Sequence, residues 1–377
     1  MPGRLFPHFP SPALKVCSIS IEDFCLQLRS VKRLLKNKSG KPAKKREIHT
    51  KGHEKGSFAL FRETFVPFRG LPLDWRSNES SVAGGNRSDF FFTPQITDAY
   101  FLTTWAIAVN EGEQWSFYSP ASRHLPFGML RWQEESQQAL ILDPDQLLFA
   151  ETPLAEAERS LQKRSAQLQL DREGSLQGGC RIEYSGHQAA SRREQLDDET
   201  PQEREQAVQE MVQEWFNNAE VSQIQIENLE DPSKPLTYSW QVRVPGYAQG
   251  TGKRLFLQPA FFQTGTEPRF TASQRRHRIY FNYRWSEEDH VTIDLPQGMI
   301  LEGAGSPPSF SSQKLVHYSA QVTAGEDGRQ LIYQRRFAFS GLLFPVSSYS
   351  GLKQIFDDVH QRDTHTIILK KQAEGGR

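Results

Sequence analysis

The sequence predicts an α+β chain: a partial antiparallel β core followed by a mainly antiparallel β-sandwich domain with two packed helices. Three observations lead there. Two apolar runs, Phe101–Val109 and Gln114–Ser119, are separated by Asn110-Glu111-Gly112-Glu113, and a short Asn/Gly turn between β-rich runs is a strong hairpin signal. Beyond Asp143, short alternating segments punctuated by turn residues suggest a sandwich. Two stretches with apolar residues at spacing three and four then supply the helices.

The chain has 377 residues, enough for two or three domains, and its 25 Phe, 10 Tyr and 7 Trp provide large surfaces to bury. Lys plus Arg equals Asp plus Glu at 45 each, so no overall field selects a polyanion or a membrane. No apolar run approaches the roughly 20 residues of a spanning helix. The proline-broken start (Pro7, Pro10, Pro12) does not read as a secretory signal. Three cysteines, Cys17, Cys25 and Cys180, form neither a metal-ligand spacing nor a disulfide framework.

Residues 1–86 form a distinct, basic front segment. Lys32–Lys55 is rich in Lys and Arg and poor in apolar residues, which favours a solvated, poorly ordered stretch. A nucleic-acid arm is its sharper alternative, but the run lacks interleaved aromatics for base stacking. His49 and His53 have i, i+4 spacing, yet the surrounding Gly and Lys do not support the helix that a metal pair would need. If the hairpin turn is centred between Glu111 and Gly112, Thr104 lies opposite Ser119, with Cβ atoms about 4.5–5.5 Å apart.

Asp143 to Ser160 is a proline-punctuated exit into residues 151–377. Strands are expected at Ala166–Leu170, Gly179–Ser185, Val221–Asn228, Leu236–Val244, Lys253–Leu257, Arg278–Trp285, His290–Leu295, Lys314–Val322, Gln330–Phe339 and Thr366–Lys370. Thr200 and Glu203 form a capping box with Pro201 at the first helical position. This starts a helix near 201–216 whose stripe is Ala207, Val208, Met211, Val212, Trp215 and Phe216. A second helix near 348–361 carries Tyr349, Leu352, Ile355, Phe356 and Val359. Glu287, Glu288 and Asp289 read as a solvated corner between strands, and Gly303 to Ser312 as a loop without a nucleophile elbow.

Two stretches carry a family resemblance. Phe101 to Glu135, ending in "PFGMLRWQEE", resembles the second half of a transglutaminase-like (papain-type cysteine) core of bacterial proteins of unknown function, with Arg87 to Tyr100 as its approach. The ending "YSGLKQIFDDVHQRDTHTIILKK" is similar to the C-terminal module of that group. The resemblance implies a core over 87–150 and a sandwich over 151–377. It implies a thiolate nucleophile, a histidine that carries the proton and an aspartate that orients it. Laid onto this chain, the histidine position falls on Thr104 and the aspartate position on Ser119, neither of which accepts a proton near neutral pH. A mutual Thr–Ser hydrogen bond would let the pair keep the fold. Cys17 and Cys25 each precede a stretch able to form an amphipathic helix, whose N-terminus lowers a thiol pKa, but neither has the family's neighbours.

The expected function is therefore non-catalytic, binding or structural, with a protein or peptide ligand. The alternatives are an active cysteine amidohydrolase or transglutaminase-like enzyme using Cys17 or Cys25, and a nucleic-acid-associated protein using the basic front segment. No cofactor or metal is expected, and the resemblance implies an exported or periplasmic setting. His124, five residues past Ser119, reads as a loop histidine outside base reach. His187, His277, His290, His317, His360 and His365 read as ordinary polar positions. The adjacent pairs Glu134-Glu135 and Asp357-Asp358 diverge too much for paired acid–base work.

Overall fold

The computed structural model of the protein describes residues 79–371, except 90, 96–100, 111, 113, 120–121, 143–146, 303–304, 313–314 and 326–327. The described residues belong to two compact units, one of residues 79–116 with 137–152 and one of residues 117–136 with 153–371. The expected α+β class, mainly antiparallel, is what the chain adopts. Among the described residues no helix is long and apolar enough to cross a membrane.

The first sheet contains β1 (Glu79–Gly84), β2 (Thr104–Asn110), β3 (Trp115–Tyr118), β4 (Gln138–Leu142) and β5 (Leu147–Glu151), in the order β3-β2-β1-β4-β5. β2 and β3 are sheet neighbours joined by the Asn/Gly turn, as the sequence predicts. Asn110 Oδ1 accepts from the Gly112 amide at 2.9 Å, and Gly112 takes a φ of 94°, a value that suits glycine. β1, whose polar sequence gave no strand signal, is the centre of this sheet. Its Val82 and Ala83 are buried between β2 and β4.

The second unit continues through β6 (Leu161–Leu170), β7 (Leu176–Tyr184), α1 (Gly186–Leu196), α2 (Pro201–Trp215), β8 (Glu220–Glu227), β9 (Leu236–Val244), β10 (Gln249–Thr251) and β11 (Arg254–Leu257). Then come β12 (Ile279–Tyr280), β13 (Trp285–Asp294), β14 (Met299–Leu301), β15 (Phe310–Ser312), β16 (Val316–Ala324), β17 (Gln330–Phe339), β18 (Leu343–Phe344), α3 (Tyr349–Asp363) and β19 (Ile367–Lys371). Eight of these strands form one sheet in the order β15-β16-β17-β13-β6-β7-β9-β8. Alternation sorts its faces: Ala166, Leu168, Leu170, Val291, Ile293, Tyr333, Phe337 and Phe339 are buried, while Gln167, Gln169, His290 and Gln334 face water.

Helix α2 starts where its capping box places it. Thr200 Oγ1 accepts from the Glu203 amide at 3.3 Å, and Glu203 Oε2 accepts from the Thr200 amide at 2.8 Å. Thr200→Ala is expected to cost ~1 kcal/mol, read as a lower urea midpoint with an unchanged slope. Val208, Val212 and Phe216 bury the stripe on the unit's own core, with Met211 and Trp215 packed against it, while Ala207 stays exposed.

Residues 278–295 depart from expectation. In place of two strands around an acidic corner, residues 281–284 leave the ladder and Trp285–Asp294 runs as one continuous strand. Glu287 and Asp289 lie in the fourth strand of the eight, so the solvated-corner reading is overturned. The reason is charge compensation across strands: Asp289 is in register with Arg164 on β6 and Arg335 on β17. Paired guanidiniums make carboxylates tolerable where an apolar residue would otherwise stand.

Candidate functional site

Thr104 opens β2 opposite Gly84 of β1 and is buried. Its hydroxyl donates to the Gly85 carbonyl at 3.2 Å, a bond directed towards β1. A Cβ at Gly84 would stand 3.0 Å from that hydroxyl, so the glycine leaves room for it. Ser119, which follows β3 in the second unit, has a shielded Oγ with no hydrogen-bond partner among the described residues. Cys17, Cys25, His49 and His53 lie outside the described residues. Cys180 is a free thiol on β7, and burial pushes its pKa far above the ordinary range.

His124 sits 3.5 Å from Asp197, which also pairs with Arg123. Burial and the Arg123 charge lower its pKa. His187, expected to be an ordinary polar position, is instead buried in the first turn of α1. Its Nε2 lies 3.0 Å from Glu135 Oε1 and its ring 4.9 Å from that of Tyr283. Ser160 completes a Ser, His and carboxylate set in type but not in geometry. Its Oγ accepts from the His187 backbone amide at 3.2 Å, and all three residues are at most 2% exposed. A nucleophile so enclosed meets no substrate. Glu134 turns instead to Arg131, so the adjacent carboxylates diverge.

The densest group of charges straddles β6, β13, β17 and the end of α3. Arg164 Nε donates to Asp289 Oδ1 at 2.5 Å and its Nη2 to Glu287 Oε2 at 3.0 Å. Arg335 Nη1 donates to the same Glu287 oxygen at 2.8 Å and forks onto Asp363 at 2.7 and 2.8 Å. Tyr318 donates to Asp363 Oδ1 at 2.9 Å, and the Gln263 amide oxygen accepts from Arg164. Burial pushes Asp363 upward against the pull of Arg335. Burial would raise Glu287 too, but the charges of Arg335 and Arg164, with hydrogen bonds from Arg335 and Trp285, hold it at about 2.

That depression has a pH signature. Glu287 is ionised more readily in the folded chain than in the unfolded one. The stability it adds is complete above about pH 4.5 and is lost as pH falls towards about 2. Glu287→Gln is expected to lower stability by roughly 3 kcal/mol at neutral pH. The gap to wild type should close between about pH 4.5 and 2 in urea titrations run across pH. A constant gap would refute the assignment.

Two concavities lie in the second unit. One of ≈ 320 Å³ sits between α1 and α2, with Arg192, Glu203, Met211 and Tyr238 in its wall. The other, ≈ 610 Å³, lies over the exposed face of β6, β7, β8 and β9 beside Gly178. Neither is lined by a thiol or an imidazole. Among the described residues no group of three or more His, Cys, Asp or Glu could hold a metal ion. The buried charges brace the fold.

The family model described as a Domain of Unknown Function with solved structure (DUF3858) matches residues 253–369. No curated protein matches the chain. Among solved structures, the chain is similar to a "putative protease" from Parabacteroides distasonis ATCC 8503, at 10% identity and a TM-score of 0.36. The match covers 78% of this chain and 40% of that one, so the chain spans less than half of that protein's length.

Proposed function

We propose that this chain is a non-catalytic transglutaminase-like protein with a binding or structural role, its core at 87–150 and its sandwich at 151–377. One observation carries the reading: the position where the family holds its proton-moving histidine is Thr104, whose proton is given to a backbone carbonyl. Residues 79–116 and 137–152 contain neither cysteine nor histidine, so no imidazole in that stretch takes the place of the missing one. The family match over 253–369 coincides with the C-terminal part of the resemblance. A thiol without a base partner is only a few per cent thiolate at neutral pH.

The test is turnover. The full chain, given a glutaminyl peptide with a labelled amine and separately an amide substrate, is expected to show no rate above buffer. Cys17→Ala and Cys25→Ala should leave that background unchanged. Turnover that disappears in either variant would establish the cysteine enzyme instead.

A further inference from the structure

Thr264 to Arg278 joins the 3-10 turn Phe261–Gln263 to β12 without helix or strand. Connections this long that lack secondary structure are uncommon in compact domains unless they serve a function. This one is held down along its length. The Arg269 guanidinium lies 5.1, 4.9 and 5.3 Å from the ring centres of Phe281, Trp285 and Phe356. Tyr349 donates to the Ala272 carbonyl at 2.5 Å, and Lys353 donates to the Phe270 carbonyl at 2.6 Å. Arg275 is 5.6 Å from the rings of both Phe270 and Tyr349. Cation–π contacts and charged hydrogen bonds fix the loop from Arg269 to Arg275.

Beyond that clamp the chain presents Arg275-Arg276-His277-Arg278, all exposed. Elsewhere in this unit Arg131, Arg164, Arg181, Arg243, Arg254, Arg284 and Arg335 are each engaged by a carboxylate, and Arg193 and Arg204 by backbone carbonyls. Arg276 and Arg278 have no ion pair among the described residues. In a chain whose charges balance overall, this is a local excess of guanidinium on a rigid support. Guanidinium forks match phosphate oxygens two at a time, and a preformed loop loses little entropy on binding. The exposed part, Thr271 to Arg278, has no Phe, Tyr or Trp to stack on a base, only the small ring of His277, and no large apolar residue to enter a bilayer.

The geometry points to a binding site on this loop for a linear phosphate polymer, recognised through its charged backbone alone. It goes beyond the proposed function and does not depend on whether the core is catalytic. The experiment measures binding of the full chain to long-chain inorganic polyphosphate and to single-stranded DNA, from 50 to 200 mM salt, for wild type and Arg276→Ser/Arg278→Ser. Arg172→Ser, at the β6–β7 turn, is the control. The double variant should bind both polymers more weakly. On the DNA it should flatten the slope of log affinity against log salt by about 1.4, two backbone contacts at roughly 0.7 each, with its thermal midpoint unchanged. Binding to polyphosphate alone, equally dependent on the two arginines, would support the site and name that source. Binding that the double variant leaves intact would belong to the basic stretch Lys32–Lys55 and overturn the proposal. Equal binding of polyglutamate, or loss only towards anionic vesicles, would overturn it in favour of an acidic protein or a lipid surface.

Discussion

Arg335→Ala is expected to remove ~3–5 kcal/mol of folding stability, a large share of the roughly 5–15 kcal/mol of an ordinary domain. Arg335 is 3% exposed, hydrogen-bonds Glu287 on β13 and Asp363 at the end of α3, and lies 3.8 Å from Asp289. Truncation keeps these carboxylates in place and removes a charge that compensates them. Asp363, itself 3% exposed, would retain only the Tyr318 hydroxyl. Arg335→Lys separates charge from geometry, because one ammonium cannot make the two-pronged contact with Asp363 and still reach Glu287. It should fall between wild type and alanine in chemical denaturation. An alanine variant within 1 kcal/mol of wild type would show that the group contributes little.

Phe356→Ala should cost a similar ~3–5 kcal/mol, for a different reason. Phe356 stands in the middle of α3, with ring centres of Phe270, Trp285 and Phe339 at 5.4, 6.4 and 5.1 Å. Its removal opens a cavity in the aromatic layer that also holds the Arg269 guanidinium. The loss should appear as a lower thermal midpoint and as faster proteolysis between Thr264 and Arg278. Phe356→Leu restores part of the volume and should recover part of the stability. A cleavage pattern identical to wild type would mean that the helix does not anchor the loop.

Periodicity and caps were legible in the sequence wherever burial was apolar. Leu236–Val244 and Gln330–Phe339 form over the residues their alternation indicates, and Thr200 begins its helix. Legibility failed where polar residues do the burying. α1 has few apolar residues, yet Arg193 is 1% exposed and donates to the carbonyls of Asn228, Leu229, Asp231 and Lys234. No hydrophobic pattern announces a helix that is fixed through an arginine. Glu287 and Asp289 look hydrophilic for the same reason, since their partners at Arg164 and Arg335 are far away in the chain. For the candidate site, the hairpin placed Thr104 in a strand, but no spacing marks the Gly85 carbonyl as the acceptor of its hydroxyl. Ser160, His187 and Glu135 carried no spacing signal because three separate loops and turns bring them together.

One pairing sets the order in which the molecule can assemble. β6 and β13 run parallel, with residues 171–284 between them, so the middle of the large sheet waits for a long loop to close. While the chain emerges from the ribosome, β6 can pair with β7 as soon as both are made, but its other edge stays open until Asp294 has followed. During that interval the bare edge can template pairing with another molecule. Slow synthesis or truncation before β13 should therefore yield aggregates, and the tolerance of this protein for interruption is set by its topology as much as by its final stability.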